Sequence, residues 1–103
     1  MLEIVKRLEI GQEDVNLGGD VYKERLPRPG EGKSVGFRII VYFKNKFRFF
    51  FVYGFKKADR DNVDGRELKA FKADAKDQFA LTNEQIIARL RNRTLIEVFM
   101  EDK

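Results

Sequence analysis

The chain has 103 residues, carries 21 Lys or Arg against 17 Asp or Glu, and contains no cysteine, histidine or tryptophan. That length supports a single domain over 1–103, with about 60–70% of the unfolded surface hidden on folding and no need of covalent staples. Without cysteine there is neither a disulfide framework nor a thiolate metal site, and without histidine neither zincin nor Ser-His-Asp chemistry. No apolar run approaches the roughly 20 residues that span a bilayer. Met1–Gly11 lacks the basic, apolar and small-residue succession of a signal peptide, so a cytoplasmic location is expected, with no membrane partner. No metal or cofactor is expected, and any chemistry must come from Lys, Arg, Tyr, Ser, Thr, Asp, Glu, Asn or Gln.

Leu2, Val5 and Leu8, joined by Ile4, have helical spacing and predict a helix over 1–11 that Gly11 stops. Leu17-Gly18-Gly19 is a turn signal, and Asp20–Leu26 reads as a strand with Val21, Lys23 and Arg25 on one face. Pro27–Ser34 holds both prolines of the chain and is expected as a loop, since neither ring can donate to a sheet. Phe37–Phe43 and Phe47–Phe55 are dense in β-branched and aromatic residues and predict two further strands. Lys44-Asn45-Lys46 would join them, with Asn45 suited to a positive φ in a tight hairpin. Bulk on both faces of Phe47–Phe55 reads as a central strand.

After Asp61 the period changes from two to 3.6. Asp64 with Glu67 and Thr82 with Gln85 have capping-box spacing, so two helices are expected over 64–91. Thr94–Phe99 predicts a terminal strand. The expected architecture is α+β: a three-stranded antiparallel sheet over 20–55 with helices packed on one face.

Charge is unevenly distributed. From Lys23 to Arg60 there are eleven basic residues and three acidic ones, a net +8 in a chain of net +4. Such a segment makes a positive surface that attracts polyanions.

Leu17-Gly18-Gly19-Asp20-Val21-Tyr22-Lys23-Glu24-Arg25-Leu26, Arg28-Pro29-Gly30-Glu31-Gly32-Lys33-Ser34, Gly36-Phe37-Arg38, Phe51-Val52-Tyr53-Gly54-Phe55-Lys56-Lys57 and Asp61-Asn62-Val63 resemble the RelE/HigB-type toxins of bacterial type II toxin–antitoxin modules. More narrowly, they resemble a phage-derived subgroup with an LGGxxYKxRxxRPGxGKSxGxR stretch and a YGFxKxxRxN stretch. Members of that subgroup begin with an extra strand and helix before the segment matching Leu2–Gly11. The resemblance implies a RelE/ParE-like fold and a toxin that cleaves messenger RNA, commonly on the ribosome. It also implies a cognate antitoxin, expected to be of helix-turn-helix type.

Such cleavage needs neither metal nor histidine, because the ribose 2′-OH is the nucleophile and the protein supplies positioning, a base, charge stabilisation and an acid. A lysine amine crowded by cations is more easily held neutral, and an arginine fork can bind developing phosphoryl charge. The resemblance implies Lys23 as base candidate, Arg38 as phosphate stabiliser, and Arg25 with Lys56, or Lys57, as clamps on the backbone. Arg28, Lys33, Arg48, Lys57 and Arg60 are candidate RNA contacts. The general acid has no obvious owner, since no Tyr follows Tyr53.

Each feature has a plainer reading. Lys23 and Arg25 could be outward charges that discourage edge pairing, Arg38 could pair with a carboxylate such as Glu24, and Phe47, Phe49, Phe51, Tyr53 and Phe55 read as core rather than as a base-stacking platform. Two other functions therefore stand beside the nuclease: a non-catalytic RNA- or protein-binding module of the same fold, and an oligomeric interaction domain, with a homodimer as its simplest form.

Overall fold

The computed structural model describes residues 2–26, 36–57 and 62–95. In chain order these form α1 (Leu2–Glu9), β1 (Val15–Gly18), β2 (Val21–Leu26), β3 (Phe37–Asn45), β4 (Arg48–Lys56), α2 (Gly65–Phe79) and α3 (Asn83–Arg91). The strands make one antiparallel sheet in the order β1-β2-β3-β4. The α+β class read from the sequence is the class observed.

Its layering differs from expectation. Val21, Ile40, Tyr42 and Phe55 cluster with Val63 and Ala75, against which Leu68, Phe71 and Phe79 of α2 pack. Val41 and Phe43 cluster instead with Ile4, Val5 and Leu8 of α1, joined by Tyr22, Ile39, Phe49 and Phe51. Successive strand residues point to opposite faces, so the two helices cover opposite sides of the sheet rather than one. Each apolar stripe needs its own cover, and β3 carries apolar residues on both faces. The α1 helix ends as its sequence dictates, with Gly11 at φ +73° where a side chain would be strained.

The short strand β1 escaped the sequence reading. It is only four residues long and ends in glycine, so it offers too few alternations to register as a strand. β2 and β3 are the interior strands among the described residues, and β4, expected to be central, lies at an edge. Its bulk on both faces reflects the two helical layers. The register shifts between Ile40 and Val41, which pair with Tyr53 and Phe51, so Val52 is the extra residue of a bulge. That single insertion splits the aromatic row: Phe49 and Phe51 turn toward α1, whereas Phe50 and Phe55 join the α2 side. Phe47 is in neither layer, because it occupies the hairpin turn and is 86% exposed. Asn45 serves that turn through its side chain, accepting the Phe47 N–H at 2.8 Å, and not through a positive φ.

Both predicted capping boxes are formed. Asp64 accepts the Glu67 N–H at 2.8 Å while Glu67 accepts the Asp64 N–H at 3.1 Å, and Thr82 and Gln85 repeat the exchange at α3. Each satisfies helix N–H groups that would otherwise lack partners. Thr94 and Leu95 form a bend; the rest of the expected terminal strand, and the loop expected over Pro27–Ser34, lie outside the described residues.

Candidate functional site

Strand alternation and register together decide which basic residues meet. Lys23 and Arg25 share a face of β2, Arg25 aligns with Arg38 on β3, and Arg38 aligns with Phe55 on β4. Lys23, Arg25 and Arg38 therefore lie on the α2 side of the sheet, near the end where β2 leaves and β3 enters. Directly opposite residues such as Arg25 and Arg38 have Cβ atoms ~5 Å apart, and the diagonal Lys23–Arg38 separation is ~7–8 Å. Like charges so placed repel one another.

Arg38 is the central member. It is only 9% exposed, and its hydrogen bond is to its neighbour's carbonyl, Phe37 O, at 3.4 Å. Among the described residues no carboxylate pairs with it. Glu24, the partner considered from the sequence, points to the opposite face, where its side chain is fully buried and accepts Arg7 Nη2 at 3.3 Å and the Asp14 N–H at 2.8 Å. Burial pushes the Glu24 carboxyl above its ordinary range, outweighing the Asp14 hydrogen bond and the Arg7 guanidinium. Arg25 is partly neutralised, with its Nε 3.6 Å from Asp14 Oδ2.

Lys23 Nζ donates to Asn62 Oδ1 at 3.1 Å, and the same oxygen accepts the Val63 N–H at 3.0 Å. Val63 is buried in the α2-side core and so fixes the segment that carries Asn62. The sequence reading gave Asn62 no role. Its position two residues before the Asp64 cap was the available signal, because a capped helix start holds the preceding residues in place.

Other candidates fall elsewhere. Lys56 aligns with Phe37, one residue out of phase with Arg38, so the pleat directs it to the α1 side. Lys57 lies just past the end of β4, in a turn, and its N–H donates to Gly36 O at 3.3 Å. Arg48 sits at the far end of the sheet, aligned with Asn45, and its guanidinium donates to Leu81 O at 3.0 Å and Asn83 Oδ1 at 3.1 Å. It ties β4 to the α2–α3 connection. Arg28, Lys33 and Arg60 lie outside the described residues.

Tyr22 and Tyr42 are held in the neutral form, both chiefly by burial; Glu13, Asp20 and Glu24 add to the effect on Tyr22, and a hydrogen bond to Asp74 adds to it on Tyr42. A groove of about 770 Å³ runs between β4 and α3, lined by residues such as Phe49, Phe51, Ile86 and Leu90, and it includes none of Lys23, Arg25 and Arg38. Lys23, Arg25 and Arg38 thus share a face of the sheet and line no part of that groove. Among the described residues, no cluster of acidic side chains could hold a metal ion, and no helix is long and apolar enough to cross a membrane.

The chain matches the family described as the RelE toxin of the RelE/RelB toxin–antitoxin system, over residues 1–98. No match is found among curated proteins or among solved structures.

Proposed function

The chain belongs to the RelE toxin family, and from that premise we propose that it is an endoribonuclease whose reacting site is Lys23, Arg25 and Arg38. Membership makes it a toxin of a toxin–antitoxin system, with an antitoxin as its partner in general. The observation that carries the nuclease reading is Arg38: a nearly buried arginine, flanked by two further cations on one sheet face, with no carboxylate partner among the described residues.

The chemistry follows from what such groups can do. The ribose 2′-oxygen attacks the adjacent phosphorus as its proton leaves to a base, and the bond from phosphorus to the 5′-oxygen breaks as that oxygen takes up a proton. The products are a 2′,3′-cyclic phosphate and a free 5′-hydroxyl. Arg38 stabilises charge developing on the non-bridging phosphoryl oxygens, a role that strengthens in a partly desolvated site. Lys23, steadied by Asn62, is the base candidate. Arg25 clamps the flanking backbone, its charge moderated by Asp14. Lys57, at the turn just after β4, is the second clamp candidate, since the pleat directs Lys56 to the α1 side.

Incubating the protein with a translated messenger is expected to yield fragments ending in 2′,3′-cyclic phosphate, and Lys23→Ala with Arg38→Ala is expected to abolish them. RNA retention that weakens steeply with salt, without any cut, would assign the chain to a non-catalytic binding role instead.

A further inference from the structure

A second group of lysines lies on the same side of the sheet, at its opposite end. Lys69, Lys72 and Lys76 follow one another at intervals of three and four along α2, so they occupy one flank of the helix and span ~10 Å of its length. That flank lies toward β2 and the turn before it. Lys72 crosses the Gly18-Gly19 turn: a Cβ on Gly19 would come within 3.1 Å of Lys72 Cγ, and one on Gly18 within 3.2 Å of its Nζ. The two glycines, both at positive φ, thus leave the room in which the lysine stem is laid down. Lys44, at the end of β3, places its ammonium 5.1 Å from the centroid of the Phe79 ring. Lys44, Lys72 and Lys76 border one concavity of about 410 Å³ together with Gly19 and Asp20.

Asp20 is the one acid at that concavity, and among the described residues no ion pair joins these lysines to a carboxylate. Lys72 and Lys76 are four apart on the helix, a spacing at which like charges repel unless an anion bridges them. The stem of Lys72 is already immobilised by the glycine turn, so less freedom remains to be lost when an anion binds.

From these observations we infer that Lys44, Lys72 and Lys76 form an accessory phosphate-binding track that carries the RNA strand away from Lys23 and Arg38. The inference rests on the proposed nuclease site and extends it. Continuity favours RNA over an acidic protein segment. The α2 helix starts beside Lys23, through Asn62, and packs on β2. Lys23 is four residues from Gly19, ~13 Å along the strand. A single strand held at Arg38 therefore meets the lysine flank within a few nucleotides, and its phosphates can satisfy both cationic groups at once. A short strand can reach only the first.

The test compares uncleavable 2′-O-methyl oligoribonucleotides of ~4 and ~16 nucleotides, the range over which single-strand sites extend. Binding of each to the full chain is followed by fluorescence anisotropy as salt is varied. Lys44→Gln/Lys72→Gln/Lys76→Gln is expected to weaken the long strand ~10-fold or more and to flatten its log–log salt slope by about two, since each single-strand phosphate contact contributes ~0.7. The short strand is expected to change less than twofold. Lys44→Gln/Lys76→Gln, which alters only exposed side chains, should show the same pattern at smaller size and guards against misfolding of the triple variant. Unchanged affinity and slope for the long strand would overturn the track while leaving the Lys23/Arg38 site standing. Equal loss for both lengths would also overturn it, because the lysines would then not extend a path. Cleavage that survives Lys23→Ala with Arg38→Ala would remove the site from which the track departs. Poly-glutamate competing as well as RNA, with the same lysine dependence, would assign the flank to an acidic protein and overturn the RNA reading.

Discussion

Two buried charges lie close together on adjacent strands and teach opposite lessons. Glu24 on β2 faces α1, is fully buried, and has Arg7 and the Asp14 N–H on its two oxygens. Arg38 on β3 faces the α2 side, is 9% exposed, and among the described residues has only a neighbouring carbonyl. A buried charge costs free energy unless paired, so the first is a structural unit closed within the fold, whereas the second has no carboxylate partner among the described residues. One residue of pleat separates the two roles.

The largest expected effect breaks the Arg38 side. Arg38→Ala should lower the initial cleavage rate ~10²–10³-fold, the usual loss for one donor to developing oxyanion charge. Its thermal midpoint should hold or rise, since the buried charge removed has no carboxylate partner among the described residues. A variant that unfolds while its surviving folded fraction cuts normally would make Arg38 structural.

Next in size is the lysine beside it. Asn62→Ala should cut the rate ~10–100-fold by letting the Lys23 amine drift, with little change in melting temperature. Rates unchanged within twofold would remove Asn62 from the site.

The Glu24 side should respond in stability and not in rate. Arg7→Ala deprives the buried carboxylate of its guanidinium and should cost ~1–3 kcal/mol in urea unfolding at neutral pH. That cost should shrink as pH falls and Glu24 takes up a proton.

Glu24→Gln gives the smallest and most diagnostic change. The folded-state pKa of Glu24 lies above its unfolded value near 4.5, so the folded protein binds the proton more tightly. Its contribution to stability is therefore complete below 4.5 and is lost as pH rises through the folded value. The glutamine variant should flatten that decline, and an unaltered pH–stability curve would show that Glu24 does not produce it.

Legibility differed between the same two regions. The cationic face could be read because alternation on β2 and the spacing of Gly36-Phe37-Arg38 are local, and so could the caps at Asp64 and Thr82. Lys56 was misplaced relative to the site because one residue of phase sends a strand side chain to the other face. Arg48 read as an RNA contact, yet Leu81 and Asn83, more than thirty residues later, occupy its guanidinium. Asn62 was visible only as part of a motif, since its meaning depends on Lys23, 39 residues earlier.

By itself the sequence determined the α+β class, the helix starts and the basic character of the middle segment, because periodicity, capping and charge depend on residues close in the chain. Tertiary structure alone decided which cations share a face, which are tied up by distant partners, and that the helices divide between two sides. It did so through the register of β2 against β3 and of β3 against β4, and through distant packing and hydrogen bonds, which are properties of paired elements and of no element alone.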